Sequence, residues 1–188
     1  ASSASPAAIL EQGGCLVIVK QNCALAAVRR MLQAMLQALE PGGLRSRTGV
    51  SGAGSGYLSV PGLYRQAHAA FTTARQEEAD VRFYDEIGMN RLILAVNNKP
   101  LLEEYARSVL APLTDYDQKN HTDCAKLLRL YIEADCSVNA AAEQSGVHRN
   151  TINNRMKLVR TLLGGELTEK RKAELLLAFR ITDLLRLL

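Results

Sequence analysis

Along the first half of the chain, short β-favouring runs alternate with stretches whose apolar residues recur every three or four positions; along the second half only the helical step remains. Cys15 to Lys20 (CLVIVK) is an unbroken run bounded by Gly13 and Gly14 and predicts a buried strand. From Ala24 to Leu39 the apolar residues Leu25, Val28, Met31 or Leu32, Met35 or Leu36 and Leu39 fall at helical steps, and Pro41-Gly42-Gly43 stops them, so an amphipathic helix is expected. Arg45 to Ser51 alternates weakly and predicts a second strand. GAGSGY is then a flexible turn, and Val60-Pro61-Gly62 introduces a helix over Leu63 to Ala79. Val81 to Tyr84 reads as a short third strand, and Asp85 to Ala95 as a helix with an early glycine. Strand, helix, strand, helix, strand makes an α/β domain.

Beyond residue 96 the pattern is wholly helical. Lys99 to Leu110 predicts a linking helix with Pro100 in its first turn, and Ala111 to Asn120 a polar connector. Asp123 to Ala134 places Cys124, Leu127, Leu128, Tyr131 and Ile132 on one face, which suits a supporting helix with Tyr131 in its core. Thr168 to Leu188 is the last helix. Its apolar content from Leu175 onward exceeds one stripe, so it is expected both to sit deep in the small domain and to contribute to a subunit contact.

Between these two helices, Ser137 to Leu163 (SVNAAAEQSGVHRNTINNRMKLVRTLL) has the composition of a helix-turn-helix. Ser137 can cap the first helix, and Ala140, Ala141 and Ala142 keep it slim enough for another helix to cross it. Gly146 supplies a residue able to take positive φ, Val147 an apolar plug, and the chain restarts at His148. Ile152, Met156 and Val159 recur at inward steps, with Leu162 or Leu163 beside them. The other face carries Arg149, Asn150, Asn153, Asn154 and Lys157, with Thr151 and Arg160 at its edges. Asn can pair bidentately with adenine and Arg with guanine, while Thr or Lys can hold phosphate.

Composition adjusts this picture modestly. At 188 residues and 47% hydrophobic the chain can build one large or two small cores. A net charge of +4 permits a nucleic-acid partner without demanding one, but from His148 to Arg160 Arg149, Arg155, Lys157 and Arg160 stand with no acidic residue among them. No apolar run approaches the roughly 20 residues of a membrane span, and a soluble, cytoplasmic protein is expected. Cys15, Cys23, Cys124 and Cys136 lack metal-ligand spacing and read as free thiols. ASSASPAA has no signal-peptide character, and residues 1–12 are expected to be a disordered lead-in. GVSGAGSG lacks the Lys-Ser/Thr ending of a phosphate loop, His68 and His121 stand alone, and Glu77, Glu78 and Asp80 read as a solvated helix end.

The residues from Asp123 to Leu188 resemble the helix-turn-helix domain that ends the PucR and CdaR (sugar-diacid regulator) family of bacterial transcription regulators. The resemblance rests on YIEADCSVNAAAEQSGVHRNTINNRMKLVRTLLG and the following RKAELLLAFRITDLL. Its most specific piece is Val147-His148-Arg149-Asn150-Thr151 with Arg155, because helix packing does not require those polar identities. Cys15 to Leu94, with GVSGAGSGYLSVPGLYRQAHAAFTTA and VRFYDEIG, is similar to the degenerate GGDEF-like domain that often precedes it. A diguanylate cyclase needs a Gly-Gly-Asp/Glu-Glu-Phe hairpin and acidic Mg²⁺ ligands. Here the hairpin reads Gln12-Gly13-Gly14-Cys15, with no carboxylate after the glycines. No enzyme activity, cofactor or metal is therefore expected, and this part would be a spacer, a dimerising surface or a ligand-sensing relic.

The resemblance implies an α+β chain: a lead-in at 1–12, a truncated GGDEF-like α/β domain at 13–96, a linking helix and connector at 97–120, and an all-α helix-turn-helix domain at 121–188. It implies a sequence-specific transcription regulator that binds double-stranded DNA as a homodimer, with a small-molecule effector acting through a region outside this chain. His148, Arg149, Asn150, Asn153 and Asn154 would meet base edges in the major groove, and Thr151, Arg155, Lys157 and Arg160 would hold phosphate. Arg155 is the misfit, standing where many helix-turn-helix units place an apolar residue. It would reach a phosphate or a carboxylate of its own domain. The alternative is a protein-interaction or ligand-sensing module that uses the helix-turn-helix as scaffold.

Overall fold

The structure is a computed structural model that describes residues 7–43 and 45–187. The chain divides into two compact units, Ala1–Ser46 and Arg47–Leu188.

In the first unit, β1 (Ala7–Gln12) and β2 (Cys15–Lys20) form an antiparallel hairpin in which Ala7 faces Lys20 and Gln12 faces Cys15. Gly13 and Gly14 both take left-handed backbone angles (φ 60° and 72°), which a tight two-residue hairpin turn demands. This corrects the expected lead-in over residues 1–12. The glycine pair folds residues 7–12 back onto the predicted strand, and residues 1–6 lie outside the described part. Helix α1 (Leu25–Leu39) follows as expected, burying Leu32.

The second unit opens with a β–α–β element. Strands β3 (Thr48–Val50) and β4 (Val81–Phe83) pair in parallel, Thr48 with Val81 and Val50 with Phe83, and α2 (Val60–Gln76) makes the crossover. Helix α2 starts three residues ahead of the predicted Leu63, straight after a 3₁₀ turn at Tyr57–Ser59, with Pro61 in its first turn. It lies so close to β3 that a Cβ on Gly49 would sit 2.1 Å from the Ala67 carbonyl oxygen.

The predicted helix from Asp85 is shorter. Tyr84–Glu86 forms a 3₁₀ turn, Gly88 takes φ 53°, and only α3 (Asn90–Ala95) is helical. The buried Asn90 amide donates to Thr73 Oγ1 (3.2 Å) and Gln76 Oε1 (3.3 Å), which pins α3 to α2. Two of the three acids read as a solvated helix end are in fact paired: Glu77 accepts from Arg82 Nε at 2.6 Å, and Asp80 from Arg47 Nη1 at 3.0 Å.

The expected linker and connector at 97–120 form one helix, α4 (Lys99–Asn120). Asn98 caps it by accepting the Leu101 N–H (3.2 Å), and Pro100 sits in the first turn as predicted. Pro112 removes one backbone donor from the interior, yet the helix continues through it. The reason is tertiary: Ala106, Leu110 and Leu113 form a buried stripe packed on α8 (Glu169–Leu185), and that burial outweighs one lost hydrogen bond. Of the polar residues after Pro112, Thr114, Asp115, Gln118, Lys119 and Asn120 are exposed and Asp117 is half-buried, and the helix stops at His121 with φ 52°.

Helices α4, α5 (Cys124–Glu133), α6 (Val138–Ser145), α7 (Arg149–Leu162) and α8 share one core, in which Leu113, Leu128, Ile152, Met156, Leu175, Ile181 and Leu184 are sealed from solvent. Ile93 of α3 belongs to the same cluster, so packing does not stop at residue 96. Most of the apolar surplus of α8 lies deep, with Leu175, Ala178, Phe179, Ile181 and Leu184 buried, while Leu176 stays exposed. Among the described residues no helix is long and apolar enough to cross a membrane.

Candidate nucleic-acid interface

The supporting helix α5 is fixed at both ends. At its start, the Asp117 carboxylate from the last turns of α4 accepts the N–H groups of Cys124 (2.7 Å) and Ala125 (2.9 Å) and the Thr122 hydroxyl (2.7 Å). Burial alone pushes the Asp117 carboxyl up, but these hydrogen bonds outweigh it and hold the group below the usual aspartate range. Burial likewise pushes the Cys124 thiol up, which keeps it protonated and unreactive; all four cysteines are free. At the far end, Arg129 bridges Glu133 (2.9 Å) and Asp183 of α8 (2.6 Å) with its guanidinium over the Phe179 ring.

Asp135 and Cys136 turn the chain with left-handed angles, and Ser137 caps α6 by accepting the Ala140 N–H at 3.3 Å, as its position predicted. Ala141 is fully buried where α6 meets α5 and α7. The turn into α7 is held by Ser145, whose hydroxyl donates to the Ala141 carbonyl (2.6 Å) and accepts from the Val147 N–H (3.3 Å). Gly146 takes φ 67° with open space where a Cβ would stand, so its requirement is conformational rather than steric.

Helix α7 buries Ile152, Met156 and Val159, the stripe that periodicity predicted. Its solvent side exposes Arg149, Asn150, Thr151, Asn153, Asn154 and Lys157, while Arg155 and Arg160 are half-buried. At about 100° per residue, Asn150, Asn154 and Lys157 form the centre of the exposed face, and Arg149 with Asn153 one flank. Thr161 continues the central line at the same four-residue step and was not among the predicted residues; its hydroxyl donates to the Lys157 carbonyl at 3.1 Å.

Three predicted contacts take on particular surroundings. His148 is the N-cap of α7, its Nδ1 accepting the Asn150 N–H at 3.2 Å. Arg160 Nε lies 3.0 Å from the Glu166 carboxylate but off the N–H line, an ionic contact that ties it to its own domain rather than leaving it free for phosphate. Arg155 sits near enough to Cys124 for its charge to act on the thiol, and among the described residues it makes no ion pair. Among the described residues, then, Arg155 has no carboxylate within ion-pair distance, the partner that one account of it expects.

A slim capped helix, a left-handed glycine and a second helix with one apolar and one polar face define a helix-turn-helix, carried on α5 and braced by α4 and α8. Residues 124–181 match the family described as the PucR C-terminal helix-turn-helix domain. The chain is 31% identical over 103 residues to the proline-responsive transcriptional activator PutR of Bacillus subtilis, covering 55% of this chain and 25% of that protein. It is 28% identical over 99 residues to the DNA-binding transcriptional activator AdeR of the same organism, covering 51% of this chain and 24% of that one. The chain thus spans about a quarter of the length of these curated relatives. No solved structure matches it significantly.

Proposed function

We propose that the chain is the DNA-reading part of a transcription regulator that inserts the N-terminal half of α7 into the major groove. One observation carries this reading: Asn150, Asn154 and Lys157 stand exposed on the side of α7 opposite Ile152, Met156 and Val159, with Arg149 and Asn153 exposed on one flank, inside a domain matched to the PucR C-terminal helix-turn-helix. A helix packed for stability alone has no need of three asparagines and no carboxylate on that side. In this reading His148, Arg149, Asn150, Asn153 and Asn154 meet base edges, while Thr151, Arg155 and Lys157 hold phosphate. Arg160 must leave Glu166 to join them.

The relatives' printed names, one of them DNA-binding and both transcriptional activators, support the same class of function here. A module of this size reads few base pairs, so a homodimer on paired half-sites follows, with an effector acting through a region outside this chain. The expected GGDEF-like domain at 13–96 is divided between the two units, its Gly13-Gly14 hairpin in the first and the β3–α2–β4 element in the second, and no carboxylate follows the glycines.

Selection of bound sequences from a random duplex pool tests the proposal. A recovered site with two symmetric halves is expected, and Arg149→Ala with Asn150→Ala should lower affinity for it at least tenfold. Unchanged specific affinity in that double variant, together with a flat dependence on salt, would overturn the reading.

A further inference from the structure

His148 is bound to its own helix by only one of its two ring nitrogens. Nδ1 accepts the Asn150 N–H, which requires that nitrogen to carry a lone pair. In a neutral imidazole the proton then resides on Nε2, on the far side of the ring. The ring is solvent-exposed and stands at the first turn of α7, beside Arg149 and Asn150. Its neighbour on the other side, Val147, is half-buried, with its N–H held by Ser145. The backbone that carries the ring is therefore anchored on both sides, and the Nδ1 hydrogen bond turns Nε2 away from the start of the helix.

We propose that His148 is a positioning and specificity residue, whose Nδ1 closes the cap of α7 and whose Nε2–H thereby donates to an acceptor on the DNA. The acceptor is a phosphate oxygen or a purine N7 or O6 at the edge of the site. The proposal rests on the DNA-reading function above and adds the division of labour between the two nitrogens. The usual N-cap residues are Ser, Thr, Asp and Asn, each of which can cap but offers no donor at this reach. Histidine does both.

The two roles separate by substitution in the full chain. His148→Ser keeps a side-chain acceptor for the cap and removes the outer donor, whereas His148→Ala removes both. Thermal unfolding should leave the serine variant at the wild-type midpoint and lower that of the alanine variant. Binding to the site selected by the wild-type protein should weaken about threefold to tenfold in both, the worth of one neutral hydrogen bond. A loss equal on all sequences marks a phosphate acceptor, and a loss of preference at one base pair marks a base edge.

Long-range ¹⁵N–¹H NMR of the free protein reads the tautomer directly, and the proton is expected on Nε2. A proton on Nδ1, or a serine variant that binds and discriminates like wild type, overturns the proposal. Failure of the wild-type protein to bind any duplex sinks the DNA-reading function itself, which is distinguishable because the tautomer and the melting series remain measurable.

Discussion

Glu77, one residue past the end of α2, reaches Arg180 in α8, with 3.4 Å between Oε1 and Nη1 across 103 positions of sequence. Its other oxygen holds Arg82, so a single carboxylate ties the β–α–β element to the last helix of the helix-turn-helix domain. Both partners remain wet, Glu77 at 30% and Arg180 at 44% side-chain exposure. Solvent screening at that exposure limits the energy. A double-mutant cycle with Glu77→Gln and Arg180→Ala should give a coupling below about 1 kcal/mol in 0.15 M salt. The coupling should shrink further at 1 M; a value above about 2 kcal/mol would contradict this account.

Gly49 is a steric matter. A methyl there would lie 2.1 Å from the Ala67 carbonyl oxygen and 2.2 Å from the Phe71 backbone nitrogen, and neither is the end of a movable side chain. Gly49→Ala must push α2 off β3, at a cost of about 3 kcal/mol. Urea unfolding should show a lower midpoint for this variant. Gly62→Ala, where a Cβ meets nothing within 4 Å, serves as the control that should change little. Equal midpoints for the two variants would show that β3 and α2 do not pack this closely.

Asp117 makes stability depend on pH in a defined direction. Its folded carboxyl titrates below its unfolded counterpart, because burial's upward push is overcome by hydrogen bonds from Ala125, Thr122 and Cys124. Its contribution is complete above the ordinary aspartate pKa of about 3.9 and drains away as pH falls through the lower folded value. Asp117→Asn should therefore melt earlier than wild type at pH 7, with the gap closing below about pH 4. A gap that stays constant down to pH 2 would mean the carboxylate charge is not what holds α5.

Lys157 and Asn154 should separate charge from readout. If Lys157 holds a phosphate, Lys157→Ala weakens binding on all sequences alike and reduces the slope of log affinity against log salt by about 0.9. Asn154→Ala should leave that slope alone and cost about 1–3 kcal/mol at one base pair. Affinity measured at several salt concentrations on cognate and mismatched duplexes checks both. The reverse pattern would place Lys157 on a base and Asn154 on the backbone.

Much of the site is visible in the sequence because local rules decide it. Ser137 is a favoured cap, Gly146 is needed for a left-handed angle, and Ile152, Met156 and Val159 keep step along one helical face. His148 escapes those rules as a cap, since histidine is not a residue by which helix starts are recognised. Thr161 lies one four-residue step beyond Lys157, so the same periodicity that marks Lys157 marks it too.

The misses in the fold are tertiary. Pro112 and the polar residues after it spell a connector, and nothing local says that Leu110 and Leu113 will find α8 and keep the helix whole. The partners of Glu77 and Asp80 lie at Arg82, Arg180 and Arg47, where charge pattern alone does not join them. Ala7–Gln12 has Ile9 as its single β-branched residue and no regular alternation, so nothing local marks it as a strand, and the left-handed Gly13-Gly14 pair folds it onto its neighbour.

Helix α4 runs through Pro112 without a joint, and its buried stripe is continuous with the cluster that holds Ile152 and Met156. The β–α–β element is fastened to the same cluster through α3 and α8. In the second unit, therefore, the β–α–β element and α7 are joined through continuous packing rather than through a linker.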